Sequence, residues 1–448
     1  MRKKKRRRNL REKNKLEAID FMTPVTKCLL LLLVVALLFV TEIIPLAVTS
    51  MGAAIACWML GLVPAKQIFL GLADSTVVLF AGMFVVGASM FHTGVAQKIG
   101  SKVVRLCGKS ENSLMIGLMV VAAAMSAFLS NTGTTACLIP VVMSVCATAK
   151  LSPQRQLMPL AFAAGLGGTI TLIGTPPNML ANVALKAAGM PELQFGFFEY
   201  AYIGIPITVA GILYMMFVGK YLLPENRDFD PDKLEEQAID SEGIAVKTSK
   251  QIICGAIVLA VIAAMGLDLI PLHIVAVIGA LLAVLTGCLT EKQAYDSIDW
   301  ITIFLFAGMI PVAEAMNTSG AGKAIASATV EMLGGDPSPY VVTAVLFVLA
   351  VVLTQFMSNT ASKALLCPVG IALASQLGAS PRAVLMAILI ASSCAFASPV
   401  GTPPNTLVLG PGHYRFMDYV KAGGGLIFVC LVVSIIVIPI VWPFFPGK

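Results

Sequence analysis

The feature that most constrains this chain is a pair of long stretches without a single charged side chain. Ser113 to Ala149 holds no Asp, Glu, Lys or Arg over 37 residues, and Gln156 to Leu185 holds none over 30. A helix that crosses a bilayer needs ~20 predominantly apolar residues. The rest of the chain agrees, with 58% of its 448 residues hydrophobic and 12% charged. A soluble domain carries about 25% charged residues. This composition excludes a soluble enzyme, a nucleic-acid-binding module and a disordered protein, and leaves an all-α integral membrane protein.

Apolar segments fall at about 28–43, 45–62, 75–91, 113–149, 157–186, 200–222, 251–267, 270–289, 300–318, 340–376, 383–410 and 422–445. Residues 92–112 place Lys98, Lys102, Arg105 and Lys109 among apolar positions, the pattern of an interfacial amphipathic helix. Residues 224–250 are hydrophilic, with eight acids between Glu225 and Glu242 and Pro224 and Pro231 as breakers, and read as a solvated joint between two halves. Eleven of the 31 Lys and Arg residues lie in the first 27 positions. In front of a multispanning chain, such a tract reads as a juxtamembrane anchor on anionic lipid rather than a nucleic-acid contact. The ten cysteines are scattered singly, without Cys-x-x-Cys, and read as packing residues. The three histidines are too dispersed in sequence to suggest a metal or catalytic cluster.

The two halves repeat one another. Glu42-Ile-Ile-Pro-Leu46 aligns with Asp268-Leu-Ile-Pro-Leu272, and Leu79-Phe-Ala-Gly-Met83 with Leu305-Phe-Ala-Gly-Met309. Ser130-Asn-Thr132 aligns with Ser358-Asn-Thr360, and Gly174-Thr-Pro-Pro-Asn178 with Gly401-Thr-Pro-Pro-Asn405. The offsets are 226, 226, 228 and 227. Five apolar crossings separate the two Ser-Asn-Thr motifs, and an odd number places them on hairpins entering from opposite faces. Inverted repeats with a site at their interface are the architecture of secondary transporters.

The 37-residue run is too short for two full spans with a connection and too long for one. Its middle is polar, with Ser126, Ser130, Asn131, Thr132, Thr134 and Thr135. Irregular backbone survives at membrane depth only when it is buried in protein or lines a cavity. The run therefore reads as a re-entrant hairpin with its tip at Asn131, repeated over 340–376 with its tip at Asn359. Each Gly-Thr-Pro-Pro-Asn segment sits in an uncharged run. Pro176 and Pro177, like Pro403 and Pro404, must break their helices, which frees carbonyls for a cation and helix N–H groups for an anion. Hydroxyls, amides and free carbonyls suit a weakly bound sodium ion and a carboxylate or sulfate. No base or nucleophile accompanies them, so the chemistry is binding rather than bond breaking.

Paired Ser-Asn-Thr tips, paired Thr-Pro-Pro breaks and a Thr-Glu-x-x-Pro-Leu opening to an early helix resemble the divalent anion/sodium symporter (DASS) family, which includes transporters of di- and tricarboxylates and of sulfate. The resemblance covers residues 27–445. It implies an inverted-repeat, elevator-type homodimer in the cell (plasma or inner) membrane, with sodium as coupling ion, no enzymatic activity and no other cofactor. It divides the chain into a basic segment (1–26), first-repeat scaffold (27–112), first hairpin and transport helices (113–223), linker (224–250), second-repeat scaffold (251–339), and second hairpin and transport helices (340–448). Carried over by motif, one sodium site uses Ser126, Ser130, Asn131 and backbone near Gly174, and the other Thr354, Asn359 and backbone near Gly401. Substrate carboxylates meet Asn131, Thr132, Asn359, Thr360 and Thr402.

Two departures stand out. Three crossings precede the first hairpin, where the family pattern has four. Lys363, the only Lys or Arg between Pro339 and Pro381, follows the second tip where the first half has Thr135. One turn after Asn359, it is placed to contact a substrate carboxylate and joins the substrate-binding set, since the retained Ser130, Asn131, Thr354 and Asn359 argue against its standing in for a sodium ion; the remaining reading is a lysine that snorkels to the interface. Glu314, near the end of the 300–318 segment, reads as a helix-end or interdomain polar contact, and Glu42 and Asp268 as helix ends. The resulting expectation is a sodium-coupled dicarboxylate transporter. Its rivals are an exchanger or sulfate transporter on the same fold and, more remotely, an ion channel or a membrane enzyme.

With the first hairpin opening to the cytoplasm, that face collects fourteen Lys and Arg residues between Lys98 and Lys421, against five on the other face, in line with the positive-inside rule. Three preceding crossings would put the basic N-terminal tract outside, against the same rule, and the distributed charges and the family pattern decide the orientation. A single cysteine placed at position 228 should therefore react with an impermeant reagent only after the cells are permeabilised. Labelling of intact cells at that position would reverse the orientation.

Overall fold

The computed structural model describes residues 22–106, 110–149, 151–224, 248–267, 270–332, 334 and 337–445. The basic N-terminal tract, most of the acidic linker and Asp268 lie outside them. Regular structure among the described residues is helical throughout. Helix α1 (Pro24–Thr41) begins where Thr23 Oγ1 accepts the Thr26 N–H. It ends at Glu42, whose left-handed φ of 48° closes the last turn on Leu38 O, so Glu42 marks a helix end as expected. Helices α2 (Leu46–Met59) and α3 (Ser75–His92) follow, the latter capped by Asp74. Helix α4 (Val95–Leu106) falls in the expected interfacial segment, with Ala96 buried and Lys98 and Lys102 exposed.

The 37-residue uncharged run forms most of α5 (Glu111–Ser126) and all of α6 (Asn131–Ala149), joined at residues 127–130 and folded back on one another. Helix α7 (Gln154–Gly167) then runs into a non-helical stretch, a 3-10 turn (Pro176–Met179) and the short α8 (Leu180–Ala187). Helix α9 (Ala201–Leu222), with a π turn at Met215–Gly219, closes the first half.

The second half repeats the order: α10 (Thr248–Gly266), α11 (Leu272–Leu285), a short α12 (Glu291–Asp296), α13 (Trp300–Ser319) and the amphipathic α14 (Ala321–Met332). The second hairpin is α15 (Pro339–Thr354) and α16 (Asn359–Gln376), followed by α17 (Pro381–Ser393), a break, α18 (Pro403–Leu409) and α19 (Phe416–Val441). Helices α1, α2 and α3 correspond to α10, α11 and α13. Three such apolar helices before a hairpin are therefore a property of the repeat itself. Contacts between the halves are reciprocal. Helix α2 packs on α13 and α11 on α3, while α6 packs on α18 and α16 on α8. A two-fold relation between the repeats produces this exchange of partners.

The repeated Leu-Phe-Ala-Gly-Met motif has a packing role. A Cβ built on Gly82 of α3 would lie 2.7 Å from the Ala276 carbonyl carbon of α11, and one on Gly308 of α13 would lie 2.5 Å from that of Ser50 in α2. Each glycine lets two helix backbones touch. Helices α5 and α7 pack together, as do α15 and α17, while α9 packs against α19, forming a second group that contains both hairpins and both breaks. Lys186 of α8 donates to Asp74 at the start of α3 at 2.6 Å, a polar link between the two groups.

Overpacking a closely fitted contact costs about 1–3 kcal/mol. Gly82→Val and Gly308→Val should each lower the thermal midpoint of the detergent-solubilised protein. Two variants that melt with the wild type would refute the close-approach reading of the motif.

Candidate functional site

At the first tip, Ser126, the last residue of α5, donates its hydroxyl to Asn131 Oδ1 at 2.6 Å. Asn131 opens α6, and Ser130 caps that helix by accepting the Gly133 N–H at 3.1 Å. The second tip has the same construction. Thr354 Oγ1, at the end of α15, lies 2.7 Å from both Asn359 Oδ1 and Ser392 O, so its one proton serves one acceptor at a time. Ser358 caps α16 through the Ala361 N–H at 3.2 Å. Among the described residues, nothing accepts a hydrogen bond from the side-chain N–H groups of Asn131 or Asn359. Each tip thus presents a carboxamide whose oxygen is fixed and whose donors are free, at the positive end of a helix.

The breaks meet the tips. Helix α7 stops at Gly167, well before the proline pair, so the prolines alone do not set the unwinding. Asn178 does much of that work, its Nδ2 donating to Gly168 O at 2.9 Å and Thr171 O at 3.0 Å. Thr171 donates to Ala127 O at the hairpin turn and accepts the Gly174 N–H. Gly168 sits against Asn131, because a Cβ there would fall 2.4 Å from Asn131 Oδ1. Gly174 in turn packs on Gly168, because a Cβ on Gly174 would lie 2.7 Å from Gly168 O. Ser126, Asn131 and Gly174 are therefore gathered around Gly168.

The second break repeats this design. Asn405 Nδ2 donates to Ala395 O and Ser398 O, both at 2.8 Å, and Gly401 packs on Thr354 O. Tyr200 OH donates to Asn178 O at 2.8 Å, and Tyr419 OH to Asn405 O at 2.7 Å. Gln355 adds a bridge that the first half lacks, donating to Cys394 O and accepting the Ala397 N–H. Thr354, Asn359 and Gly401 are thus also brought together. Thr132 is exposed, Thr360 half-buried and Thr402 buried. A cavity of about 190 Å³ lies beside the first tip, lined by Ser130, Gly133, Ile173 and Pro176 and by the Phe80–Phe91 face of α3, while no residue of the second tip lines it.

Lys363 is fully buried, which excludes snorkelling. Its Nζ donates to Asn178 Oδ1 at 2.9 Å and Ser393 Oγ at 2.8 Å. The motif spacing had not suggested any role for Asn178, Asn405, Tyr200, Tyr419 or Gln355. The two asparagines were visible as the fifth residue of a doubled motif. Neither tyrosine carries a signal, because each reaches its asparagine only through the fold.

A family model described as citrate transporter (CitMHS) matches residues 36–365, and the chain belongs to that family. An uncharacterized transporter of Haemophilus influenzae is 30% identical over 433 residues, covering 93% of this chain and 92% of its own. The sodium-dependent high-affinity dicarboxylate transporter 3 of Caenorhabditis elegans is 24% identical, covering 94% and 84%. The sodium-dependent dicarboxylate transporter SdcS of Staphylococcus saprophyticus is 24% identical, covering 90% and 83%. These relatives agree with the resemblance to divalent anion/sodium symporters. Two solved structures share the fold: MtrF of Neisseria gonorrhoeae, with a TM-score of 0.64 at 13% identity over 97% of this chain and 99% of its own, and the YdaH transporter of Alcanivorax borkumensis, with 0.62 at 17% over 94% and 98%. The protein is a multi-pass cell-membrane transporter.

Removing one partner of a buried hydrogen bond costs about 1–3 kcal/mol, or roughly 5- to 150-fold in affinity. Asn131→Ala and Asn359→Ala should each weaken transport by a factor in that range while the purified protein keeps its elution profile. Normal transport in both would show that the tips are not the binding site.

Proposed function

We propose that this transporter carries small dicarboxylates, such as succinate or malate, in symport with sodium. The observation that carries the reading is the doubled tip: a hydroxyl fixes the oxygen of Asn131 or Asn359 and leaves its amide N–H groups free at a helix N-terminus. Oxygen ligands suit the cation, and free N–H donors suit a carboxylate. On this reading one sodium ion takes Ser126, Ser130, Asn131 and backbone near Gly174, and a second takes Thr354, Asn359 and backbone near Gly401. The carboxylates take the amides of Asn131 and Asn359 with Thr132, Thr360 and Thr402. Lys363 is left out of the carboxylate contacts, because its buried ammonium already donates to Asn178 and Ser393.

The physical logic is compensation of charge. A dianion entering a water-poor site loses hydration that neutral donors replace only in part. A cation bound a few ångströms away offsets that loss, and attraction between unit charges 4 Å apart rises from about 1 kcal/mol in water to about 4 at an effective dielectric constant of 20. Sodium binding therefore favours anion binding, and by linkage the reverse holds. The names of the C. elegans and staphylococcal relatives support this substrate and this ion. In the same reading the hairpins and broken helices form the moving unit of an elevator, and the helices around α2, α3, α11 and α13 form the scaffold of a homodimer.

Uptake of radiolabelled succinate, citrate and sulfate into proteoliposomes, with and without a sodium gradient, tests the proposal. Succinate uptake that needs external sodium and no internal anion is expected. Uptake that instead requires an internal anion would make the protein an exchanger, and preference for sulfate would overturn the substrate.

A further inference from the structure

The two breaks are built alike but are not held alike. Asn178 and Asn405 occupy the same motif position, and each spends both amide protons on two carbonyls of its own break. Their oxygens differ. Asn178 Oδ1 receives Thr175 Oγ1 at 2.8 Å and the Lys363 ammonium at 2.9 Å. Asn405 Oδ1 is buried and has no partner among the described residues. Thr402, the counterpart of Thr175, makes no such bond to Asn405 among the described residues, and the ammonium contact differs through a pair of substitutions between the repeats. Lys363 corresponds to Thr135, whose hydroxyl turns back to Asn131 O at 2.9 Å, and Ser393, the other acceptor of the ammonium, corresponds to Leu166. The second hairpin thus braces the first break, and the first hairpin gives no such brace in return.

We propose that Lys363 is a positioning residue for the first-repeat cation site, acting across the repeats through Asn178. The inference rests on reading Ser126, Asn131 and Gly174 as a sodium site. A carboxamide is planar, so fixing Oδ1 fixes the direction of Nδ2 and with it the carbonyls of Gly168 and Thr171. Gly168 is the residue on which both Asn131 and Gly174 pack. A hydrogen bond from an ammonium is roughly twice as strong as one between neutral groups. Lys363 therefore presets the oxygen geometry that the cation meets, without touching cation or substrate. The second site, whose Asn405 lacks this brace, has to be ordered by its own cation.

The test is a sodium titration of thermal stability on the purified full-length protein, with choline keeping ionic strength constant and no substrate present. Lys363→Met should raise the half-saturating sodium concentration about 10-fold, the effect of losing a hydrogen bond from a charged donor while Thr175 still holds Asn178 Oδ1. Asn178→Ala should do the same, and the double variant should be no worse than Asn178→Ala alone, because both remove one linkage. Succinate affinity of Lys363→Met at saturating sodium should return to the wild-type value. An unchanged sodium titration in Lys363→Met overturns the proposal. So does succinate affinity that stays weak at saturating sodium, which would mean direct contact with substrate. A stronger sodium response in the variant also overturns it, since the lysine would then be replacing a sodium ion. If Lys363→Met does not fold, Ser393→Ala removes the second acceptor and keeps the charge. It should shift the titration about 2- to 5-fold, as expected for a neutral hydrogen bond, and no shift rejects the brace. A wild type without any sodium-dependent stabilisation is a different failure: it removes the sodium site itself, and the inference with it.

Discussion

Backbone polar groups cannot be left unpaired in hydrocarbon, and this structure is organised around two places where the chain interrupts a helix at that depth. Each lost turn exposes carbonyls and N–H groups that would cost several kcal/mol apiece if nothing replaced their partners. The replacement is a side chain from within the break. Asn178 and Asn405 each take two carbonyls, and Tyr200 and Tyr419 secure the asparagines in turn. In each repeat the break also packs against the hairpin, through Thr171 on Ala127 O in the first half and Gly401 on Thr354 O in the second. The hairpin brings hydroxyls and an amide to the break without adding a helix that would cover it.

The two-fold relation makes one solution serve twice. Gly82 against α11 and Gly308 against α2 produce equivalent crossings, so the four central helices form a frame whose two halves exchange partners. Exact equivalence ends at the hairpins. Lys363 crosses from one repeat to the break of the other, while Thr135 stays within its own helix. A buried ammonium with neutral oxygen acceptors is unusual, because isolated charges are costly away from water. Its position on the asparagine that shapes the first break gives that cost a use.

Much of the local architecture was legible in the sequence. The tips at Asn131 and Asn359 follow from polar residues in the middle of runs too long for one crossing, and the breaks from the doubled proline pairs, whereas Ser126, Thr354, Gly174 and Gly401 entered through the family resemblance and the structure places them beside those tips and breaks. The rest depended on directions that spacing does not carry. Lys363 stands one turn after Asn359, and helix periodicity puts both on one side of α16. A lysine side chain is long enough, however, for its head group to serve a neighbouring element. Here it turns to α17 and to the break of the opposite repeat. The extent of the unwinding was equally hidden, since prolines account for only its last turn and Asn178 holds the earlier part open.

The amino-acid sequence by itself determined that this chain crosses a membrane as helices, that it does so twice over in related halves, and that each half carries one interrupted hairpin and one broken helix. Those properties rest on local physics: hydropathy over a bilayer's width, the missing N–H of proline, and repetition at a constant spacing. Tertiary structure alone decided which repeat completes which. That α2 meets α13 while α3 meets α11, that Tyr200 and Tyr419 reach their asparagines, and that Lys363 braces the first break while Asn405 Oδ1 is left without a donor among the described residues are consequences of packing. A two-fold arrangement brings together residues far apart in the chain, and no periodicity along one helix records where the end of a long side chain comes to rest.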